Sequence, residues 1–329
     1  MELEYLEGSG RCIRDEDGMT VSTARADRQA AWPSLPLGEW KDTLDTLHRW
    51  VQMVGKTRLA LAPPVNHYWH VALYPTARGL TTSPMPYGDR TVEVELDFND
   101  HNLLVQTSDG STRAIGLAPR TVADFYQEYV AVLNSLDLAV RIWPVPSEME
   151  DVLPFLDDRQ HRSYDREYAE RCWQIMSQAM QVIGKFRGRF IGKCSPVHFF
   201  WGAFDLACTR FSGRPAPRHP GGVPHLPDRV VQESYSHECI SEGWWPGGGP
   251  LSEAAFYSYS YPEPSGFSEA RVQPDAAYYH KDLREFVLPY EAVRTARRPD
   301  DMLLQFLQST YEAAADMAGW DRRALERNE

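Results

Sequence analysis

MVGKTRLALAPPVNHYWHVALYPTARG (residues 53–79) and VIGKFRGRFIGKCSPVHFFWGAFDLACTRFSG (residues 182–213) read as two copies of one stretch. Val65 pairs with Val197, Tyr68 with Phe200, Trp69 with Trp201 and Arg78 with Arg210, each 132 residues apart. Gly55-Lys56 pairs with Gly184-Lys185 at a separation of 129, so the second copy carries three extra residues between its blocks. An internal duplication divides the chain. Residues 32–150 make a first repeat and residues 160–329 a second, packed together as one unit, with PFLDDRQHRSYD (154–165) as the junction. Residues 1–31 are polar and charged with little periodicity and are expected to form a disordered or loosely packed arm.

Each half shows the same order of elements. In the first, Trp40, Leu44, Leu47, Trp50, Val51 and Val54 fall at helical spacing, which predicts an amphipathic helix over 39–58. Pro63-Pro64 stops it. The aromatic and β-branched run 65–74 predicts a strand, as does TVEVELD (91–97), which alternates cleanly. HNLLVQTS follows a turn at Asn99-Asp100, a helix is expected over 121–136, and LAVRIWPV (138–145) reads as a strand. In the second half the spacing predicts a helix over 163–186, one strand over 197–211 and a Pro/Gly/His-rich loop over 213–228. AAFYSYSYPEP (254–264) puts Tyr257, Tyr259 and Tyr261 on one strand face, REFVLPY (284–290) is a further strand, and a closing helix covers 300–317. Helix, antiparallel strands, helix in each half gives an α+β fold: two similar halves, each a mostly antiparallel sheet flanked by helices.

Composition narrows the function classes. The chain has 329 residues, 43% hydrophobic and 24% charged, enough for a large core. Its net charge of −12, with no long Lys/Arg run, excludes nucleic-acid binding through a basic surface. No stretch of about 18 apolar residues suggests a membrane span. Five cysteines without a CxxC pair, and an N-terminus with neither a basic nor an apolar region, point to a reduced, cytoplasmic protein with free thiols. GxxxxGK[ST], GxGxxG after a strand, GxSxG and HExxH do not occur, which removes support for nucleotide cofactors, α/β-hydrolases and zincins. Aromatics at 12% cluster in the central and C-terminal segments and suggest an aromatic core or an aromatic-lined pocket.

The segments GRFIGKCSPVHFFWGAFDLACTRFSGR (188–214), SYSHE (234–238), WWPGGGP (244–250), FYSYSYPEP (256–264) and LQSTYEAAADMAGWDR (307–322) resemble a widespread bacterial family known as a domain of unknown function. The resemblance extends over nearly the whole chain from Trp32 onward. It implies no reaction, cofactor or catalytic residue, so function rests on the residues themselves.

The chemically richest group lies in the second repeat. His198 and Asp205, on what reads as one strand, suggest an acid–base pair or metal ligands, although period 2 puts them on opposite faces unless Gly202 introduces a bulge. The alternative is a core histidine and a neutralised buried carboxylate. His237 and Glu238 would complete a catalytic set with them, and His198 with His237 would hold a divalent metal. The HxxH pair His67 and His70, on a strand, would point apart. Arg187 and Arg210 would grip a substrate anion, or simply neutralise a helix end or a carboxylate. Trp201, Trp245, Tyr257 and Tyr259 would line the pocket. Three readings follow: an enzyme acting on a small aromatic or anionic molecule through this His/carboxylate site, a non-catalytic small-molecule binder, or a structural or interaction protein. Where the copies agree in their apolar skeleton they differ in ionisable groups, Asn66 standing opposite His198 and Leu73 opposite Asp205, which directs attention to the second repeat.

Overall fold

A computed structural model describes residues 31–327, so the expected N-terminal arm lies almost entirely outside the described residues. The architecture is α+β with two antiparallel six-stranded sheets. The first sheet holds β1 (Tyr74–Pro75), β2 (Gly79–Thr81), β3 (Met85–Tyr87), β4 (Arg90–Asp97), β5 (Asn102–Thr107) and β6 (Thr112–Gly116), in the order β1-β2-β4-β5-β6, with β3 also on β4. In β4 the expected alternation holds: Val92, Val94 and Leu96 are buried, and Glu93 and Glu95 face the other side half-buried.

The second sheet runs β11-β12-β10-β9-β8-β7, from β7 (His198–Phe200), β8 (Asp205–Pro215), β9 (His237–Trp245), β10 (Ala255–Tyr261), β11 (Tyr278–His280) and β12 (Glu285–Pro289). The edges of the two sheets are stitched by one bridge, in which Leu73 and Phe199 exchange both backbone hydrogen bonds at 2.8 Å.

Four long helices carry the sheets. The first, α1 (Leu37–Leu61), ends just before Pro63-Pro64, as expected. Thr121 caps α2 (Val122–Ser135) by accepting from the Asp124 N–H, and Asp165 caps α3 (Arg166–Gly188) by accepting from Glu167 and Tyr168. A short α4 (Asp228–Ser234) precedes β9, another, α5 (Tyr290–Thr295), follows β12, and α6 (Pro299–Met317) begins with proline at its first position, where the missing N–H costs nothing.

The most buried of the long helices is α1. Trp50 stacks on Phe125 at 4.3 Å and on Tyr164 at 5.4 Å between ring centroids. Each such fully buried apolar side chain contributes roughly 1.5–3 kcal/mol. The helix also buries polar residues. Arg49 pairs through Nε with the fully buried Asp158 at 3.1 Å and through Nη2 with Asp151 at 3.1 Å, which ties the junction segment down onto the helix.

Two expected strands are absent and a third is split in two. Residues 65–74 form a 3₁₀ turn (Asn66–Val71) with His67 and Tyr68 at φ of 58° and 57°, a conformation a strand cannot contain. Residues 138–145 have no strand pairing. The expected single strand over 197–211 is a hairpin, β7 and β8 joined by a turn over 201–204 with Phe204 at φ 59°. The segments matched in sequence therefore differ in backbone here, a 3₁₀ turn in one and a hairpin in the other, so the structure does not bear out a repeated unit at this point.

Candidate functional site

The hairpin sets the site. In β7 and β8, Phe200 lies opposite Asp205 and His198 opposite Ala207. Directly opposed residues share a sheet face, so Asp205 and His198 lie on the same side, contrary to the expectation from one continuous strand. Register carries that face across the sheet: Ala207 opposite Gly243, Gly243 opposite Tyr257, Ser241 opposite Tyr259, Tyr257 opposite Val287. Asp205, Trp245, Tyr257, Tyr259 and Glu285 thus form one wall of a cavity of about 800 Å³. The facing wall comes from the end of α1 (Lys56, Leu59), the 3₁₀ turn, the 143–148 segment, the hairpin turn and the stretch around α4. Its exposed edge mixes apolar Leu59, Trp143 and Val223 with His225 and Arg229.

Asp205 accepts a hydrogen bond from the Tyr257 hydroxyl at 2.5 Å. To make it, the Tyr257 ring crosses the intervening strand over Gly243, where a Cβ would stand 2.5 Å from Tyr257 Oη. Only glycine leaves that path open. Burial raises the Asp205 pKa to about 6, against the opposing pull of the Tyr257 hydrogen bond. Glu285 is pushed up to about 8, by burial first and then by the charge of Asp205. Glu148 joins from the facing segment, its carboxylate against the backbone of Gly202. It presents much of its surface to the cavity, yet protein crowds it closely enough that loss of solvation, then Asp205, raises its pKa to about 7 while Lys56 pulls it down. Three carboxylates that titrate near neutrality therefore face one aromatic cavity.

Helix α1 holds the facing wall through a polar stripe at four-residue spacing. His48 Nε2 contacts the Trp201 and Gly202 carbonyl oxygens at 3.0 and 2.9 Å. Gln52 clamps the Ser147 backbone, donating to its carbonyl and accepting from its N–H, both at 2.7 Å. Lys56 donates to the Ser147 hydroxyl at 2.7 Å. The stripe positions Trp201, Gly202 and Glu148 around the cavity.

Of the residues singled out from sequence, Asp205, Trp201, Trp245, Tyr257, Tyr259 and His67 line the cavity, and His70, His198, His237, Glu238, Arg187 and Arg210 do not. His198 is fully buried among the rings of Trp69, Tyr74 and Phe200, neither ring nitrogen has a hydrogen-bond partner, and burial with nearby Arg58 holds its pKa down at about 3. So enclosed, the imidazole is not part of the cavity lining. His237 sits near His67, ring centroids 5.6 Å apart, outside the cavity lining. Glu238 is paired with Arg214 at 2.7 Å on the surface. Arg187 is exposed, its Nε donating to the Ser195 carbonyl. Arg210 lies on the opposite face of the sheet, its guanidinium 3.4 Å from the Phe186 ring centroid and 4.3 Å from that of Tyr311, and bonded to the Phe186 carbonyl. Neither arginine reaches the cavity. Among the described residues no three His, Cys, Asp or Glu side chains gather where a metal ion would bind.

Sequence reading missed Glu148, Glu285 and the role of Lys56. The parity of REFVLPY could have exposed Glu285, since Glu285 and Val287 share a face. Nothing in SEMED marks Glu148, which is placed by Gln52 holding Ser147.

No helix among the described residues is long and apolar enough to cross a membrane. No curated protein matches the chain, and no solved structure matches it. Residues 32–327 match the Family of unknown function (DUF5996), and the chain belongs to that family.

Proposed function

We propose that the protein is an enzyme performing general acid–base chemistry on a small, uncharged, largely apolar or aromatic molecule enclosed in this cavity. The carrying observation is the set Glu148, Asp205 and Glu285 on aromatic walls, with Tyr257 bonded to Asp205. Carboxyls poised near neutrality can supply an acid and a base to the same substrate, because ionising one raises the pKa of its neighbours. Asp205, whose charge acts on both glutamates, is the base; Glu285 or Glu148, holding its proton, is the acid. Three carboxylates on the aromatic walls weigh against an anionic substrate, and Lys56 and Arg229, not Arg187 and Arg210, are the cations that line the cavity.

A second reading is favoured by Trp143, Trp201, Trp245, Tyr257 and Tyr259 around those carboxylates: a non-catalytic pocket for an organic cation, held by ring faces and ionised carboxylates. Both readings fit a reducing, cytoplasmic setting, because Cys172, Cys194, Cys208 and Cys239 are free thiols.

Tryptophan-fluorescence titration with matched probes, benzyl alcohol and benzylamine, from pH 5 to pH 9 separates the two. Binding of the alcohol at all pH values, lost in Trp245→Ala, supports the enzyme reading. Preference for the amine that grows as pH rises supports the cation pocket. Binding of neither probe, or binding unaffected by Trp245→Ala, would sink both.

A further inference from the structure

Lys56 is the unusual group on the facing wall. It is 5% exposed and lines the cavity, and its amine has one hydrogen-bond partner, the Ser147 hydroxyl at 2.7 Å. Among the described residues it makes no salt bridge. A buried lysine is normally paired with a carboxylate, because an isolated ammonium is costly to desolvate. The indole of Trp201 covers one side, with Nζ 5.3 Å from its ring centroid. The ring can lie there because residue 55 is glycine; a Cβ would stand 2.1 Å from the Trp201 ring. The other four lysines (41, 185, 193 and 281) are all exposed.

We propose that Lys56 is a nucleophilic amine that forms an imine with an aldehyde or ketone bound in the cavity, the carbonyl compound being the substrate class. This rests on the reading of the cavity as a site for uncharged small molecules. The neutral amine attacks the carbonyl carbon, the C–N bond forms as the C=O π bond breaks, and the proton the nitrogen then sheds passes to the oxygen, giving a neutral carbinolamine. Loss of that oxygen as water, with a proton supplied by Glu148, leaves the protonated imine; hydrolysis reverses the sequence. No oxidant or reductant is consumed. Burial favours the free amine, holding the Lys56 pKa near 8 against the opposing charge of Glu148. The imine would draw electrons from its neighbouring carbon, the position at which a carboxylate base is useful.

Reductive trapping tests this. The full-length protein is incubated with benzaldehyde and cyanoborohydride and the benzylated lysines are mapped by peptide mass. Lys56 is expected to be modified faster than each exposed lysine by about tenfold or more. The adduct should vanish in Lys56→Arg and in Lys56→Met, while benzyl alcohol still quenches tryptophan fluorescence in at least one of them, showing the cavity intact. Labelling that follows exposure, with Lys56 last, overturns the proposal. If benzyl alcohol binds the native protein under those conditions, only the imine fails; if it does not bind, the cavity reading fails too.

Discussion

Gly55-Lys56-Thr57-Arg58 and Gly184-Lys185-Phe186-Arg187 are matched in sequence and opposite in environment. In the first, Gly55, Lys56, Thr57 and Arg58 are all buried; in the second, only Phe186 is. The first segment faces the cavity and supports Trp201, whereas the second presents Gly184, Lys185 and Arg187 to solvent. The sequence argument preferred the second copy because its neighbouring strand carries His198 and Asp205. Only half of that preference survives: Asp205 lines the cavity and His198 does not, while Lys56, in the first segment, lines the facing wall. Identical residue types at a helix end say little about chemistry until their surroundings are known.

The contrast can be broken most directly at the two glycines. Gly55→Ala should cost about 1–3 kcal/mol or more, because its Cβ would enter a ring that cannot move freely while Trp201 Nε1 donates to the Val71 carbonyl. Gly184→Ala, with open space around it, should stabilise by roughly 0.5–1 kcal/mol through helix propensity. Urea unfolding of both variants measures the difference; equal effects would mean that the two helix ends are equivalent after all.

The sheet side of the cavity sharpens the contrast through pH. Asp205 and Glu285 have ordinary values of 3.8 and 4.5 and are raised to about 6 and 8. Each folded carboxyl therefore holds its proton where the unfolded one has lost it. The stability this lends is complete below the unfolded values and is lost as pH rises through the folded ones. His48 and His198, lowered to about 4 and 3 from 6.5, act in the opposite sense, but only below about pH 6.5. Lys56 enters only from about pH 8 upward. Stability should therefore fall between about pH 6.5 and 8, and Glu285→Gln should flatten that fall, gaining on the order of 1 kcal/mol at pH 8 after screening by cavity water. A Glu285→Gln profile parallel to wild type would show that this carboxyl is not held protonated.

Lys56→Met should stabilise by about 1 kcal/mol, since a buried amine without a carboxylate partner is replaced by an apolar chain of similar length. Tyr257→Phe removes the hydrogen bond to Asp205 and should cost about 1 kcal/mol near pH 8, where the carboxylate is ionised, and less near pH 5. The smallest effect belongs to the exposed copy: Lys185→Met should stay within about 0.5 kcal/mol of wild type. Thermal unfolding of the three variants side by side gives the ranking, and a Lys185→Met effect as large as that of Lys56→Met would erase the distinction drawn between the two segments.

Helices and most strands were legible because their signals are local. Helical spacing marks 39–58, 121–136 and 163–186, Pro63-Pro64 a stop, and Val92, Val94 and Leu96 a period of two. The errors share one cause. The run 197–211 is apolar and aromatic on both sides of its turn, and Phe204 in a left-handed conformation leaves no turn signature. The His67-Tyr68 pair conceals the 3₁₀ turn in the same way. His48, Gln52 and Lys56 stand at regular helical spacing in plain view, yet a polar stripe on a helix reads as a solvent face unless something is known to cover it.

The sequence by itself determined an α+β chain of antiparallel strands flanked by helices, and it put Tyr257 and Tyr259 on one strand face, since side-chain direction follows from backbone period alone. Tertiary structure alone decided which polar groups lose water. Burial of Lys56, the placement of the Glu148 carboxylate against Gly202, and the approach of Tyr257 to Asp205 over Gly243 all depend on segments far apart in the chain. Desolvation and charge act through space, so the chemistry of the cavity appears only once the two walls are folded against each other.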